Sequence, residues 1–363
     1  MTIFIICAAV IFGIVSFLAY YPSFGAKMSK EDIQLFRQLP NFNRKSFINQ
    51  TPTPMSMGMA DVLSLLRDYV KGNPNRKPIA PIPMQHVNFG SIQRHKQTRV
   101  TWFGHSALML EMEGKTLLLD PMLGPTPSPI PFMSNQRYSK DVPIDLNQLP
   151  IIDAVIFSHD HYDHLDYRSI QKLKDKVKRF FVPLGLGSHL VRWGVAQENI
   201  TEHNWWEESE LDGLQLICTP ARHFSGRSLF DRNATLWCSW VIIGQQDRVY
   251  FSGDSGYATH FKEIGERYGP FDLTLMECGQ YDERWANIHM MPEETVQAHL
   301  DVKGKVLFPI HWGAFTLALH DWNDPIERVI KATKEKNVEI VVPKIGEPVQ
   351  IPSAQYPNAL WWK

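Results

Sequence analysis

The stretch that most constrains this chain runs from Phe157 to Asp166 and reads FSHDHYDHLD. His159, His161, Asp163 and His164 crowd into it. Imidazole nitrogen and carboxylate oxygen are the ligands that suit zinc and similar divalent ions. An apolar run from Ala154 to Phe157 leads in, and a helical pattern follows from about Tyr167. The cluster therefore sits where a buried strand gives way to a helix, and α/β folds gather their sites at the carboxyl ends of strands. In an extended strand end, residues i and i+2 point the same way, so His159 and His161 can grip one ion. Asp163 and His164 lie on the turn beyond and can reach a second ion beside it.

Three more candidates stand at expected strand ends: His223 in ARHFSG, Asp254 in FSGDSG and His311 in PIHWG. A lone histidine is more often a hydrogen-bonded structural residue than a ligand. Here each candidate follows an apolar strand and is flanked by a turn former, and together they complete the set that two ions use when one carboxylate bridges them. The assignment is His159, His161 and His223 to one ion, Asp163, His164 and His311 to the other, with Asp254 bridging. Two zinc ions held by these groups and a hydroxide would keep about one positive charge, which suits an anionic substrate. Asp120, ending TLLLD, is either a partner for a ligand histidine or a turn former before Pro121. His105 and Tyr162 are weaker candidates.

From Thr98 onward, apolar strands alternate with helical patterns, with a hairpin turn at Glu113-Gly114-Lys115. Helices are expected over Tyr167–Lys178, around Leu190, from Pro292, and from Asp324 to about Lys336, with VEIVVP as a closing strand. The fold class is α/β (α+β): a sandwich of two mixed sheets with outer helices, over residues 98–363. Residues 27–97 read as a lead-in. It carries one amphipathic helix over roughly Ala60–Lys71, with Met59, Leu63, Leu66 and Val70 at helical spacing, and a Pro-rich linker from Asn73 to Pro83.

Residues 1–26 contain no charged side chain, and Ile3 to Tyr21 is almost wholly apolar. That is close to the ~20 residues that span a bilayer. A membrane anchor with the catalytic domain on the cytoplasmic side is expected, because the first basic residues all follow the segment. The rival is a signal peptide cleaved near Ser23-Phe24-Gly25, with a periplasmic or secreted protein. The Trp205-Trp206 and Trp361-Trp362 pairs could rest at an interface or simply pack. The 37 basic and 38 acidic residues nearly cancel, so no global field attracts nucleic acid. Four dispersed cysteines give no disulfide framework. Neither a P-loop nor a complete dinucleotide loop is present.

The HxHxDH run, followed in order by His223, Asp254 and His311, resembles the metallo-β-lactamase fold from about Val100 to the C-terminus. The resemblance implies a four-layer αβ/βα sandwich with a binuclear metal site between the sheets. WFGHSALMLE, PARHFSGRSLFDRNATLWCSW and FSGDSGY are more specific, as are GQYDERW, IHMMPEE and PIHWGAFTLA between Cys278 and Ala318. They resemble the N-acylphosphatidylethanolamine-hydrolysing phospholipase D family. That family's ligands fall on all seven positions above, and its additional pocket histidine falls on His289. The implied chemistry is zinc-dependent hydrolysis of an N-acylated phospholipid to phosphatidic acid and an N-acylethanolamine. Asp163 and His289 would be catalytic, and Tyr162, Gln280 and His289 would bind substrate. The expected partners are a phospholipid, a membrane and a second copy of the chain. Three rivals remain: a hydrolase of a small soluble lactone or sugar-phosphate, a di-iron redox module, and a non-catalytic binding protein. Di-iron relatives carry Glu where this chain has His161. Loss of ligands marks binding proteins, and none is missing.

Overall fold

The computed structural model describes residues 2–87, 97–130, 134, 136–357 and 359–363, although several side chains of the first helix lie outside this description. The end of the expected lead-in and of the loop after Pro121 therefore falls outside the described residues.

The architecture is two seven-stranded mixed sheets. After a small hairpin of β1 (Phe42–Asn43) and β2 (Ser46–Phe47), the first sheet is built from β3 (Thr98–Trp102), β4 (Leu108–Met112), β5 (Lys115–Leu119), β6 (Ile152–Ile156), β7 (Val177–Pro183) and β8 (Ile200–His203). The second contains β9 (Glu208–Leu211), β10 (Leu214–Thr219), β11 (Ser239–Ile243), β12 (Arg248–Phe251), β13 (Phe271–Glu277), β14 (Gly304–Ile310) and β15 (Glu339–Ile340). The chain then returns to the first sheet, where β16 (Pro348–Ile351) pairs antiparallel with β3. In each sheet one half is parallel and the other antiparallel: β5 to β8 run parallel, as do β12 to β15.

Alternation along the strands sorts the core. Leu117 and Leu119 join Trp102, Leu110, Ile156, Leu216, Trp240 and Ile242 between the sheets. Leu118 faces the other way, with Met109, Val155, Phe180, Ile170 and Leu190. The last two come from α4 (Tyr167–Leu173) and α5 (Gly187–Arg192) on the outside of the first sheet. On the second sheet, α6 (His260–Tyr268), α7 (Pro292–Asp301) and α8 (Asp324–Lys336) supply Phe261, Val296 and Val329. Burial on both faces makes these strands continuous apolar runs rather than alternating ones.

Several boundaries differ from the sequence reading. The run VTWFGHSALMLEME is not one strand: it breaks at Gly104 (φ 90°) and His105 (φ 57°), giving β3 and β4. The helix from Tyr167 stops at Leu173, because Val177 is claimed by the parallel pairing of β7 with β6. VEIVVP contributes only the two residues of β15, and the closing strand is β16. The polar edge strands β8 and β9 carry too little apolar alternation to be seen beforehand, and the short helix α6 was missed although Phe261, Ile264 and Tyr268 stand at helical spacing.

The expected membrane anchor is corrected: among the described residues, no helix is long and apolar enough to cross a membrane. Helix α1 (Thr2–Tyr20) has 19 residues, a length of about 28 Å against the ~30 Å of a hydrocarbon core. Its end is bonded into the body. The carbonyls of Tyr20 and Pro22 accept from Arg192 Nη2 and Trp193 Nε1 at 3.2 and 2.8 Å. Arg227 donates to the Ser23 carbonyl at 3.0 and 2.8 Å.

Candidate metal centre

The loop His159–Asp166 leaves β6 and enters α4, whose first turn is capped by Asp166 accepting from Ser169 N at 2.9 Å. His223 follows β10, Asp254 follows β12 and His311 follows β14, so three strand ends of the second sheet face one of the first. Gly253 (φ 55°) makes the close approach: a Cβ there would lie 2.6 Å from that of Ser158. The backbones of two site histidines are zipped together, with His311 N on the His105 carbonyl at 2.9 Å.

The tertiary structure brings all seven expected ligands together. His159 Nε2 lies 2.9 Å from His161 Nδ1, which lies 3.2 Å from His223 Nε2. Asp254 Oδ2 is 3.7 and 3.8 Å from the Nε2 atoms of His159 and His223, and 3.1 Å from that of His164. His164 Nε2 is 3.5 Å from Asp163 Oδ2, and His311 Nδ1 is 3.0 Å from Asp254 Oδ1. Two groups suited to a cation result: His159, His161, His223 and Asp254, and beside it Asp163, His164, His311 and His105. Asp254 spans both.

These residues fit metal ions on three grounds. Imidazole nitrogens that face each other at about 3 Å repel unless a cation or proton stands between them. Asp254 Oδ1 is buried and, despite its closeness to His311, lacks a hydrogen bond of correct direction. Burial pushes the imidazoles of His159, His161, His223 and His311 below their ordinary range, which keeps their lone pairs free. His164 differs. Burial opposes its charge, but the carboxylates of Asp254, Asp163 and Asp120 outweigh it and hold the imidazole well above the usual value. That is the place where positive charge is most wanted.

The supporting contacts fix ring orientation. Asp120 accepts from His164 Nδ1 at 2.6 Å and from the Ser158 N–H at 2.7 Å, and with φ 39° it also makes the turn before Pro121, so its two readings are compatible. His223 Nδ1 donates to the Ile288 carbonyl at 2.8 Å. His105, a weak candidate in the sequence, is fully buried with Nε2 2.8 Å from Asp163 Oδ2. Asn49, from the lead-in, clamps the His223 backbone, with Nδ2 on its carbonyl at 2.8 Å and Oδ1 on its N–H at 3.1 Å.

A cavity of about 370 Å³ opens onto His161, Asp163, Asp254, His289 and His311, with Met55, Met57, Phe224, Trp285, Ile288 and Leu317 as apolar wall. A larger cleft of about 840 Å³ shares Arg284 but is lined by none of the seven His and Asp residues. His289 reaches the cavity, as expected. Gln280 lines it too, yet its side-chain oxygen is occupied by the N–H groups of Leu317 and Ala318 and its amide donates to the Phe315 carbonyl. It shapes the 315–318 wall. Tyr162 does not line this cavity: its hydroxyl donates to the Arg227 carbonyl and its ring lies 4.1 Å under the Arg227 guanidinium. Sequence reasoning missed Glu277, the buried last residue of β13, whose Oε2 sits 3.1 Å from His289 Nδ1. Its signal was available: a charge ending the apolar strand DLTLME, as the other site residues end theirs. Burial raises the Glu277 carboxyl; burial also works against charge on His289, but the carboxylates of Glu277, Asp254 and Asp163 together outweigh it and raise the imidazole.

Known proteins share this fold. The family described as Beta-lactamase superfamily domain matches residues 115–312. An uncharacterized protein of Mycobacterium tuberculosis (strain ATCC 25618 / H37Rv) is 42% identical over 333 residues, covering 90% of this chain and 88% of the relative. The N-acyl-phosphatidylethanolamine-hydrolyzing phospholipase D 1 of Caenorhabditis elegans is 32% identical over 84% of this chain and 90% of its own. Among solved structures, a metallo hydrolase from the hyperthermophilic archaeon Ignicoccus hospitalis KIN4/I shares the fold, with TM-score 0.54 and 24% identity over 71% of this chain and 99% of that one. A chain with this sandwich, this centre and these relatives belongs to the metallo-β-lactamase-fold superfamily and is a metal-dependent hydrolase.

Proposed function

We propose that the protein is a binuclear zinc phosphodiesterase that hydrolyses N-acylphosphatidylethanolamine-type phospholipids to phosphatidic acid and N-acylethanolamine. The observation that carries the reading is the likeness, along most of the chain, to a relative named for that reaction. His159, His161 and His223 would hold one ion and Asp163, His164 and His311 the other, with Asp254 between them. When bound, the ions supply Lewis acidity, which lowers the pKa of water towards ~7 and offsets phosphate charge.

The chain's own residues do the rest. Asp120 holds His164 with Nε2 turned to the centre, and the Ile288 carbonyl does the same for His223. Asp163 faces the cavity and would hold the ion that offsets charge at the phosphate end of the substrate. His289 delivers a proton to the leaving oxygen. The apolar wall from Met55 to Leu317 takes acyl chain.

A lipid-phase substrate is supported by α3 (Met59–Lys71), none of whose residues is buried. Its apolar face, Met59, Leu63, Leu66 and Val70, is turned to solvent, while its polar face holds the cavity residue Arg284 through Ser64 and Asp68 at 3.1 and 3.0 Å. An apolar helix face beside a lipid site suits a bilayer surface. On this reading residues 98–363 are the catalytic domain and the lead-in builds its mouth.

The test compares phosphatidic acid release from N-acylphosphatidylethanolamine vesicles with turnover of a soluble lactone, with metal content measured on the same sample. Lipid turnover with about two zinc per chain supports the reading. Turnover of the lactone alone overturns the lipid assignment, and stoichiometric iron overturns zinc.

A further inference from the structure

We propose that Glu277 is the positioning residue for His289: it takes the Nδ1 hydrogen and thereby turns Nε2 towards the leaving oxygen. The inference rests on the catalytic reading of His289 given above.

Glu277 ends β13 in the middle of the second sheet, and its side chain is wholly buried. A carboxylate there costs several kcal/mol unless its oxygens are occupied. Oε1 accepts from the N–H groups of Ser255 at 3.1 Å and Met290 at 3.0 Å. Oε2 faces His289 Nδ1 at 3.1 Å. The main chain of Glu277 is held as firmly, by Ser252 Oγ on its N–H and Thr295 Oγ1 on its carbonyl, at 3.0 and 2.8 Å. One side chain therefore joins the turn that carries Asp254, the loop that carries His289 and the strand between.

With Nδ1 committed to Glu277, the geometry of the ring sends Nε2 the opposite way. The ring also stacks on His311, with centroids 5.2 Å apart and 18° between planes, so rotation about its own bond is restricted from a second side. His289 lines the cavity with Asp163 and Asp254. In the reaction, the oxygen of water bonds to phosphorus and the P–O bond to the head-group alcohol breaks, its electron pair leaving on that oxygen. His289 Nε2 supplies the proton that makes the alcohol. The proton released by water restores the imidazole through solvent.

Glu277 could instead serve as a ligand, since it lies within ligand range of Asp254, His289 and His311. The two backbone N–H groups already on Oε1 argue for positioning, and the experiment separates the two. Glu277→Gln keeps the shape and an oxygen for Ser255 and Met290, but removes the charge that pairs with the ring. The zinc-loaded full chain is assayed on a phosphatidyl diester with an alkanol leaving group and on one with para-nitrophenol, which needs no proton. We expect kcat on the alkanol ester to fall roughly ten- to hundredfold, with KM and zinc content unchanged and the nitrophenyl ester nearly unaffected. The ¹⁵N spectrum of His289 should lose the signature of a protonated Nδ1. In a His289→Asn background the Glu277→Gln loss should vanish. Equal loss on both esters, loss of zinc, or full activity on the alkanol ester overturns the proposal. Full activity of His289→Asn itself overturns the catalytic reading of His289 instead.

Discussion

Asp120 shows how a residue that touches no substrate can control the centre. Its two oxygens take His164 Nδ1, the Ser158 N–H and the Ser158 hydroxyl, the last at 2.5 Å, and none of it is exposed. Asp120→Asn keeps the size but puts a donor against groups that already donate. We expect metal affinity to fall about 10- to 100-fold, measured by competition with a chelator, with the folded state retained. A second residue-scale consequence lies outside the site. His299 is buried, with Nδ1 2.7 Å from Thr274 Oγ1, and burial lowers its imidazole to about 4. In the unfolded chain it titrates near ~6.5. Below that value the unfolded state binds the extra proton, so stability rises with pH from about 4 to about 6.5 and is lost as pH falls through that window. The loss from pH 7 to pH 5 should be on the order of 2 kcal/mol from this group. Urea unfolding of the protein and of His299→Gln at the two pH values checks it: the variant should show a smaller difference between them.

Elements divide into those legible from their own residues and those made by their neighbours. The hairpin β4–β5 was legible, because Glu113 (φ 50°) and Gly114 (φ 77°) form the two-residue turn that Glu-Gly-Lys suggests. Helix α3 was legible as a helix, but its periodicity promised a buried face and the structure leaves that face in solvent. Amphipathicity fixes which residues share a side and says nothing about what covers them. The prediction for this element is selective. Leu63→Ser with Leu66→Ser and Val70→Ser should lower turnover on vesicles roughly tenfold through weaker interfacial binding. Turnover of a short-chain soluble diester should stay unchanged. Each exposed substitution should cost within about 0.5 kcal/mol, so the melting temperature serves as the control. Equal losses on both substrates would remove the interfacial role.

At the scale of the molecule, the C-terminus closes the first sheet. β16 covers the edge of β3, burying Val349 and Ile351, and Trp362 is buried beyond it. Trp361 lies against Trp102 and Trp312, with centroids 6.3 and 5.4 Å away. Trp205 is buried as well, so both tryptophan pairs serve packing. Deleting residues 348–363 should remove on the order of 5 kcal/mol of burial, comparable with the whole stability of many domains, and leave an open strand edge. Calorimetry should show a lost or strongly lowered transition, and sedimentation should show aggregation. What the sequence by itself determined was the set of histidines and aspartates that meet and the strand ends that carry them: FSHDHYDHLD, His223, Asp254 and His311 announce themselves because such side chains suit a metal and turns after apolar runs need glycine. What only the tertiary structure decided was which polar groups stand behind them. Glu277, Asn49 and His105 are distant in sequence from the residues they hold: the charge that ends DLTLME marks Glu277 as a candidate, but only the fold shows which imidazole it lies against. Their roles come from the way two sheets bring unrelated strand ends face to face.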